Sequence, residues 1–154
     1  MLKLSDILDK RCIKLDMYAT KKREAIEELV NLLLKTGNVK NMKGLVDELV
    51  EQEQVVSTGI GEGIAIPHKL VNNVEHAVMA FGRKSAGIQF NAIDHQPVSL
   101  VFLILGPKSK PTEHLQLLSK LSRLLHTPHL KHILLHAQTS EEIWQALRGQ
   151  EEGD

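Results

Sequence analysis

Apolar positions along this chain recur with two periods, one helical and one extended. Ile26, Leu29, Val30 and Leu33 fall at i, i+3, i+4 and i+7, which lays them on one face of a helix. Thr20 can cap that helix and Gly37 can stop it, so a helix is predicted over about 20–36. A second is predicted from an Asn41 cap to about Gln52, burying Met42, Leu45, Val46, Leu49 and Val50. Gly44 inside it costs roughly 1 kcal/mol relative to alanine. Upstream, Ser5 reads as the cap of a short helix through Ile7 and Leu8, and 12–15 as a short strand. Residues 98–105 (VSLVFLIL) are almost continuously apolar between Pro97 and Gly106-Pro107. That pattern predicts a central strand covered on both faces. Residues 76–83 read as another strand, 87–91 as one near an edge, and Asp94-His95-Gln96-Pro97 as a turn.

Beyond the central strand the helical period returns. Thr112 is placed to cap a helix burying Leu115, Leu118, Leu121 and Leu125. Thr127-Pro128 opens a short helix to about His136. Thr139-Ser140-Glu141-Glu142 is a capping box for a last helix that buries Ile143 and Leu147, with Trp144 between it and the body. Residues 149–154 read as a loose acidic tail. Helices around a strand core, without strict alternation, predict an α/β domain with a mixed sheet. The 154 residues suit one domain, with its core at about 4–148.

Charge and composition narrow the classes of partner. Lys+Arg and Asp+Glu are equal at 19 each, which argues against a general nucleic-acid binder or a membrane-surface protein. Only 3% of residues are aromatic, too few for single-strand stacking platforms. Cys12 is the single cysteine, so no intrachain disulfide forms and a reducing cytoplasm fits. No apolar h-region and no long apolar run occur; the expectation is a soluble cytoplasmic protein.

The chemistry concentrates in Ser57-Thr58-Gly59-Ile60-Gly61-Glu62-Gly63-Ile64-Ala65-Ile66-Pro67-His68. Glycines at alternate positions let a backbone approach a ligand and turn its N–H groups toward one point. Ile64-Ala65-Ile66 reads as a short buried strand. Pro67 fixes its own φ and keeps Ile66 extended, so the strand is expected to run straight into His68. An imidazole at a rigid strand end beside backbone donors suits a histidine that accepts a phosphoryl group. A tight loop followed by a structural histidine satisfies the same spacing. Nucleotide fingerprints fail: Ile64 stands where a Rossmann glycine is needed, and no Gly-Lys-Ser/Thr follows.

STGIGEGIAIPH resembles the phosphorylation-site signature of the fructose/mannitol-type (type 2) EIIA domains of the bacterial phosphotransferase system. LSDILDKRCIKLD, KKREAIEELV, FNAIDHQPVSLVFLILGP and EHLQLLSKLSRLL are similar to the stand-alone, nitrogen-regulatory branch, in that family's order. The resemblance spans about Leu4 to Leu147. It implies a mixed central sheet of about five strands with helices on both faces. It also implies that His68 is the nucleophile toward the phosphohistidine of an HPr-like carrier, attacking through Nε2 while a hydrogen bond orients Nδ1. The hydroxyls of Ser57 and Thr58 and the amides around Gly59, Gly61 and Gly63 then stabilise phosphoryl charge or order the loop. His114 matches the family's second histidine, on a helix first turn where free N–H groups favour an anion. No metal or organic cofactor is implied.

Two positions depart from the family pattern. Gln52-Glu53 stands where Arg-Glu is usual, removing a bidentate phosphate ligand. Lys69 follows His68 where glycine is common; it either supplies the missing charge or faces solvent. Near the C-terminus, His129, His132 and His136 share one helical face with His126 nearby. Without cysteine or spaced carboxylates, a polar helix face outweighs a metal site. Three functions follow from the resemblance: a regulatory phosphohistidine carrier, a sugar-transport EIIA delivering to a separate EIIB, or a binding module that has lost phosphotransfer.

Overall fold

A computed structural model describes residues 2–40, 43–55, 59–90 and 95–153. Its strands are β1 (Leu8–Lys14), β2 (Gly59–Gly61), β3 (Ile64–Ala65), β4 (His68–Val71), β5 (Val78–Ile88) and β6 (Val98–Pro107). Its helices are α1 (Leu4–Ile7), α2 (Lys22–Lys35), α3 (Leu45–Val55), α4 (Pro111–Leu125), α5 (Pro128–His136) and α6 (Ser140–Gly153).

The strands form one mixed sheet in the order β1-β5-β6-β3-β2, with β4 also on β6. β3 and β4 run parallel to β6 in one continuous register, Ile64 opposite Leu100, Ala65 opposite Val101 and His68 opposite Ile104. They are one ribbon broken only at Ile66-Pro67, where the Pro67 carbonyl still accepts from the Ile104 amide at 3.0 Å. Counted as ribbons, the sheet has the expected five strands, and the chain does run straight into His68.

β6 is central because its side chains have a core to enter on either side. Val98, Val101, Leu103 and Leu105 pack with α2 and α3. Leu100, Phe102 and Ile104 pack with α1, α4, α5 and α6. Each of the seven is fully buried, and from Leu100 to Leu105 the period-2 alternation of the strand divides the apolar run between two layers.

Several local expectations change. Of the strand read at 87–91, Gly87 and Ile88 are the end of β5, which passes a register irregularity between Arg83 and Ile88 and stays paired with β6, while Gln89 makes a separate parallel bridge to Lys21; position 91 lies outside the described residues. Gly44 has φ of 80° and precedes α3, so it terminates nothing and weakens no helix; the Asn41 cap lies outside the described residues. Lys21, Lys110 and Lys3 hold the cap positions expected of Thr20, Thr112 and Ser5. Glu24 nevertheless accepts from the amides of Thr20 and Lys21, closing the start of α2. On α4 the buried leucines are Leu117, Leu121, Leu124 and Leu125, whereas Leu115 is 65% exposed.

Residues 149–153 are not a loose tail but the last turns of α6. Glu151 is buried there, and its carboxylate accepts from the amides of Leu4 (2.5 Å) and Ser5 (2.9 Å). These are first-turn N–H groups of α1 that have no partner within their own helix. Trp144 does bridge the last helix to the body, its Nε1 donating to the Ser5 carbonyl at 2.9 Å.

Sequence reading gave no role to Arg83, which is buried on β5. Its Nη1 donates to the carbonyls of Leu134 and Ala137 at 3.1 and 2.7 Å, and its Nε to that of Leu15 at 3.1 Å. A cation thus closes the carbonyl end of α5, where the helix dipole favours it.

Candidate functional site

His68 is the first residue of β4, and proline sets its direction. Pro67 donates no ladder bond, and the ribbon re-enters pairing with His68 opposite Ile104. The His68 Nδ1 lies 2.7 Å from the carbonyl oxygen of Ile66. A carbonyl only accepts, so the ring proton sits on Nδ1 and the lone pair on Nε2. The side chain is half-buried.

His114 reaches the same place from the first turn of α4. The two imidazole centroids are 5.7 Å apart, tilted by 50°. The face they share follows from register. His68 lies opposite Ile104, whose side chain belongs to the α4 layer. His114 itself is 6% exposed, and it fits only because β6 has glycine at 106. A Cβ at that position would lie 2.8 Å from His114 Nδ1. In the sequence Gly106 had only marked a strand end. Among the described residues His114 Nδ1 is buried without a hydrogen-bond partner. With no acceptor beside Nδ1, the single proton of the neutral ring is better kept on Nε2.

Burial, and secondarily the charge of His68, push the His114 pKa below its ordinary 6.5. A base with a depressed native pKa is protonated first in the unfolded chain. Its contribution to stability is complete above about pH 6.5 and declines as the pH falls toward the native value. His114→Gln should therefore flatten the loss of stability between about pH 7 and about pH 5. Equal slopes for parent and variant in urea unfolding across that range would count against this assignment.

Other expected site residues are distributed differently. Lys69 lies opposite Leu105, whose side chain enters the α2/α3 layer. It lines a cleft of about 160 Å³ with Lys43, Glu48 and Lys108. Adjacent residues of a strand face opposite ways, so Lys69 does not supply charge beside the two rings. Gln52 does reach His68, but at its main chain: the side-chain Nε2 donates to the His68 carbonyl at 3.0 Å. Ser57, Thr58 and the side chain of Glu53 lie outside the described residues.

The glycine run forms a hairpin. β2 pairs antiparallel with β3, Gly59 opposite Ala65 and Gly61 opposite Ile64. Glu62 and Gly63 have φ of 58° and 78°, two consecutive left-handed residues as a type I′ turn requires. The Gly63 carbonyl accepts from the amides of Ser99 and Leu100 at 2.8 and 3.1 Å, and Lys131 of α5 donates to the Glu62 carbonyl. This turn sits at the level of Leu100, four residues along β6 from Ile104, or roughly 13 Å from the level of His68. Gly61 and Gly63 thus build the sheet edge rather than a cradle at the imidazole; Gly59, opposite Ala65, is about 10 Å short of it.

On α5, the His132 and His136 rings lie 4.3 Å apart, and His136 Nδ1 donates to the His132 carbonyl at 2.8 Å. Among the described residues no three His, Cys, Asp or Glu side chains gather as metal ligands. A cleft of about 620 Å³, lined by Asp6, Asp9, Lys40, Glu75 and His76 among others, includes neither site histidine. No helix among the described residues is long and apolar enough to cross a membrane.

Among the described residues, a half-buried histidine is faced by a buried second histidine, on a mixed sheet between two helical layers. The chain belongs to the EIIA 2 family of the phosphoenolpyruvate-dependent sugar phosphotransferase system, whose family model matches residues 6–149. It is 36% identical over 144 residues to the fructose-specific EIIA component of Haloferax volcanii, covering 94% of each chain. It is equally 36% identical to the fructose-specific EIIABC component of Bacillus subtilis, with 92% of this chain matched but only 22% of that much longer protein. Among solved structures, nitrogen regulatory protein IIA-Ntr from Neisseria meningitidis superimposes with a TM-score of 0.86 at 33% identity, covering 94% of this chain and 98% of that one. Enzyme IIAMtl of Escherichia coli, solved in complex with phosphorylated enzyme IIBMtl, gives 0.76 at 25% identity, covering 92% and 99%.

Proposed function

We propose that this chain is a phosphohistidine carrier that takes a phosphoryl group on Nε2 of His68 from the phosphohistidine of an HPr-like protein. We propose further that it acts mainly in regulation, its loaded and empty forms being read by other proteins. One observation carries the acceptor assignment: the Nδ1–H of His68 is committed to the Ile66 carbonyl, which leaves the Nε2 lone pair as nucleophile. In the transfer the P–N bond of the donor breaks as a P–Nε2 bond forms. The donor nitrogen keeps the electron pair of the broken bond, and His68 retains its Nδ1 proton. His114, neutral because of its burial, serves as a hydrogen-bond donor to a phosphoryl oxygen through Nε2. Phosphoryl transfer needs positioning and charge stabilisation more than covalent help, which two fixed imidazoles can give.

A second reading is favoured by the fructose-specific relatives and by the solved complex with a phosphorylated IIB enzyme. In it the chain hands its phosphoryl group to a separate EIIB for sugar uptake. Replacement of the usual arginine by Gln52 favours a third, a regulatory module that binds without transferring. Incubation with phosphorylated nitrogen-type and sugar-type carriers separates the three. The regulatory reading expects one acid-labile phosphoryl group per chain, located on Nε2 by phosphorus NMR, acquired fastest from the nitrogen-type carrier and not passed to a fructose-type EIIB. Efficient forward transfer to EIIB supports the sugar role instead, and no uptake from either carrier overturns the carrier assignment.

A further inference from the structure

The residue that departs from the usual family pattern at position 52 makes a specific contact with His68. We infer that Gln52 is a positioning residue for His68, holding its main chain so that the ring presents Nε2 in one fixed direction; this rests on the phosphohistidine reading above.

β4 lies beside β6 with no second strand recorded along its other side among the described residues. In the parallel ladder the carbonyl of Pro67 accepts from Ile104, so the next carbonyl, that of His68, faces away from β6. An outward carbonyl on an edge strand is otherwise left to water. Gln52, 16 residues earlier on α3, fills the place of the missing strand with an N–H donor at 3.0 Å. The ring is meanwhile held by the strand's own Ile66 carbonyl at 2.7 Å. One hydrogen bond thus fixes the backbone of His68 and the other fixes its imidazole. If the backbone at His68 rotates, the Nδ1–H···O bond weakens, the Nε2-protonated tautomer gains population and the nucleophilic lone pair is lost from Nε2. One N–H of the amide is engaged with the His68 carbonyl, and it is through this bond that Gln52 acts on His68.

Gln52→Met keeps the length of the side chain and removes the donor, whereas Gln52→Arg keeps N–H donors. Two readouts apply to the full chain. In single-turnover phosphorylation by the phosphorylated carrier, Gln52→Met should lower the maximal rate about fivefold, the worth of one neutral hydrogen bond. Half-saturation by the carrier should stay unchanged, and Gln52→Arg should recover at least half of the loss. In ¹⁵N NMR of the unphosphorylated protein, the His68 ring nitrogens of Gln52→Met should move toward values averaged between tautomers, with His114 signals as internal reference. Parental rate together with parental His68 ring signals overturns the inference, as does an effect confined to half-saturation, which assigns Gln52 to carrier docking. If the parent accepts no phosphoryl group at all, the phosphohistidine reading fails, while the ring signals still decide whether Gln52 holds His68.

Discussion

A His68→Ala chain should acquire no acid-labile phosphate from either type of carrier under conditions that label the parent to completion. The expectation rests on the proposed acceptor ring. Of the two site rings, only His68 has its Nδ1 proton fixed by a carbonyl, whereas His114 is buried with its Nδ1 unpartnered. Loss of the half-buried ring removes one hydrogen bond and little packing, so the variant should unfold within about 1 kcal/mol of the parent. Labelling can then be compared in folded protein. His114→Ala should behave differently, still labelling at His68 but about 10²–10³-fold more slowly, as when one oriented donor is removed from an anion site. Residual labelling of His68→Ala at the parental level would move the acceptor elsewhere, with His114 or His76 next to be replaced. A parental rate for His114→Ala would remove that ring from the chemistry.

Replacing Glu151 by alanine should cost about 3–5 kcal/mol of stability, the range for removing one partner of a buried ion pair. The Glu151 carboxylate is 1% exposed and lies 3.1 Å from the Lys120 ammonium. It also accepts from the Leu4 and Ser5 amides at the start of α1. Alanine therefore strands an ammonium of low exposure together with two helix-end N–H groups, and unties the first helix from the last. Glu151→Gln should lose less, because its amide oxygen still accepts from one of the two N–H groups. Adding Lys120→Met to Glu151→Ala should recover part of the loss, since the stranded cation is then gone. Urea unfolding followed by Trp144 fluorescence measures all three, with Trp144 bonded to the same segment through Ser5. A midpoint for Glu151→Ala within error of the parent would mean that the C-terminal turns of α6 do not hold the fold.

Long-range structure alters readings made along the chain. Glu151 lies in a stretch whose acidity and position suggested a solvated tail, yet the two amides it accepts from are 147 and 146 residues away. Leu115 fits the same helical stripe as Leu118 and Leu125, but the face that α4 buries is centred on Leu117, Leu121 and Leu124. Helical periodicity identifies an apolar stripe; which edge of a broad stripe meets the sheet is set by the docking of the whole helix.

What local sterics and patterning impose was legible along the chain. The run from Val98 to Leu105 could only be satisfied as a strand buried on both faces, and β6 divides its side chains between two cores. Pro67 constrains itself and Ile66, and the edge ribbon accordingly keeps one register from Ile64 to His68 and beyond. Tertiary structure decided everything that depends on which strand lies opposite. Strand alternation says that His68 and Lys69 face opposite ways, but only pairing with Ile104 and Leu105 assigns His68 to the side of His114 and Lys69 to the cleft near α3. The alternate glycines were compatible with an anion cradle or a tight turn, and antiparallel pairing with β3 made Gly61 and Gly63 part of a hairpin. Gly106 became a site residue when α4 brought His114 against it, and Gln52 when α3 came to lie beside an outward carbonyl. Such contacts join residues distant in sequence, and no short-range period or propensity encodes them.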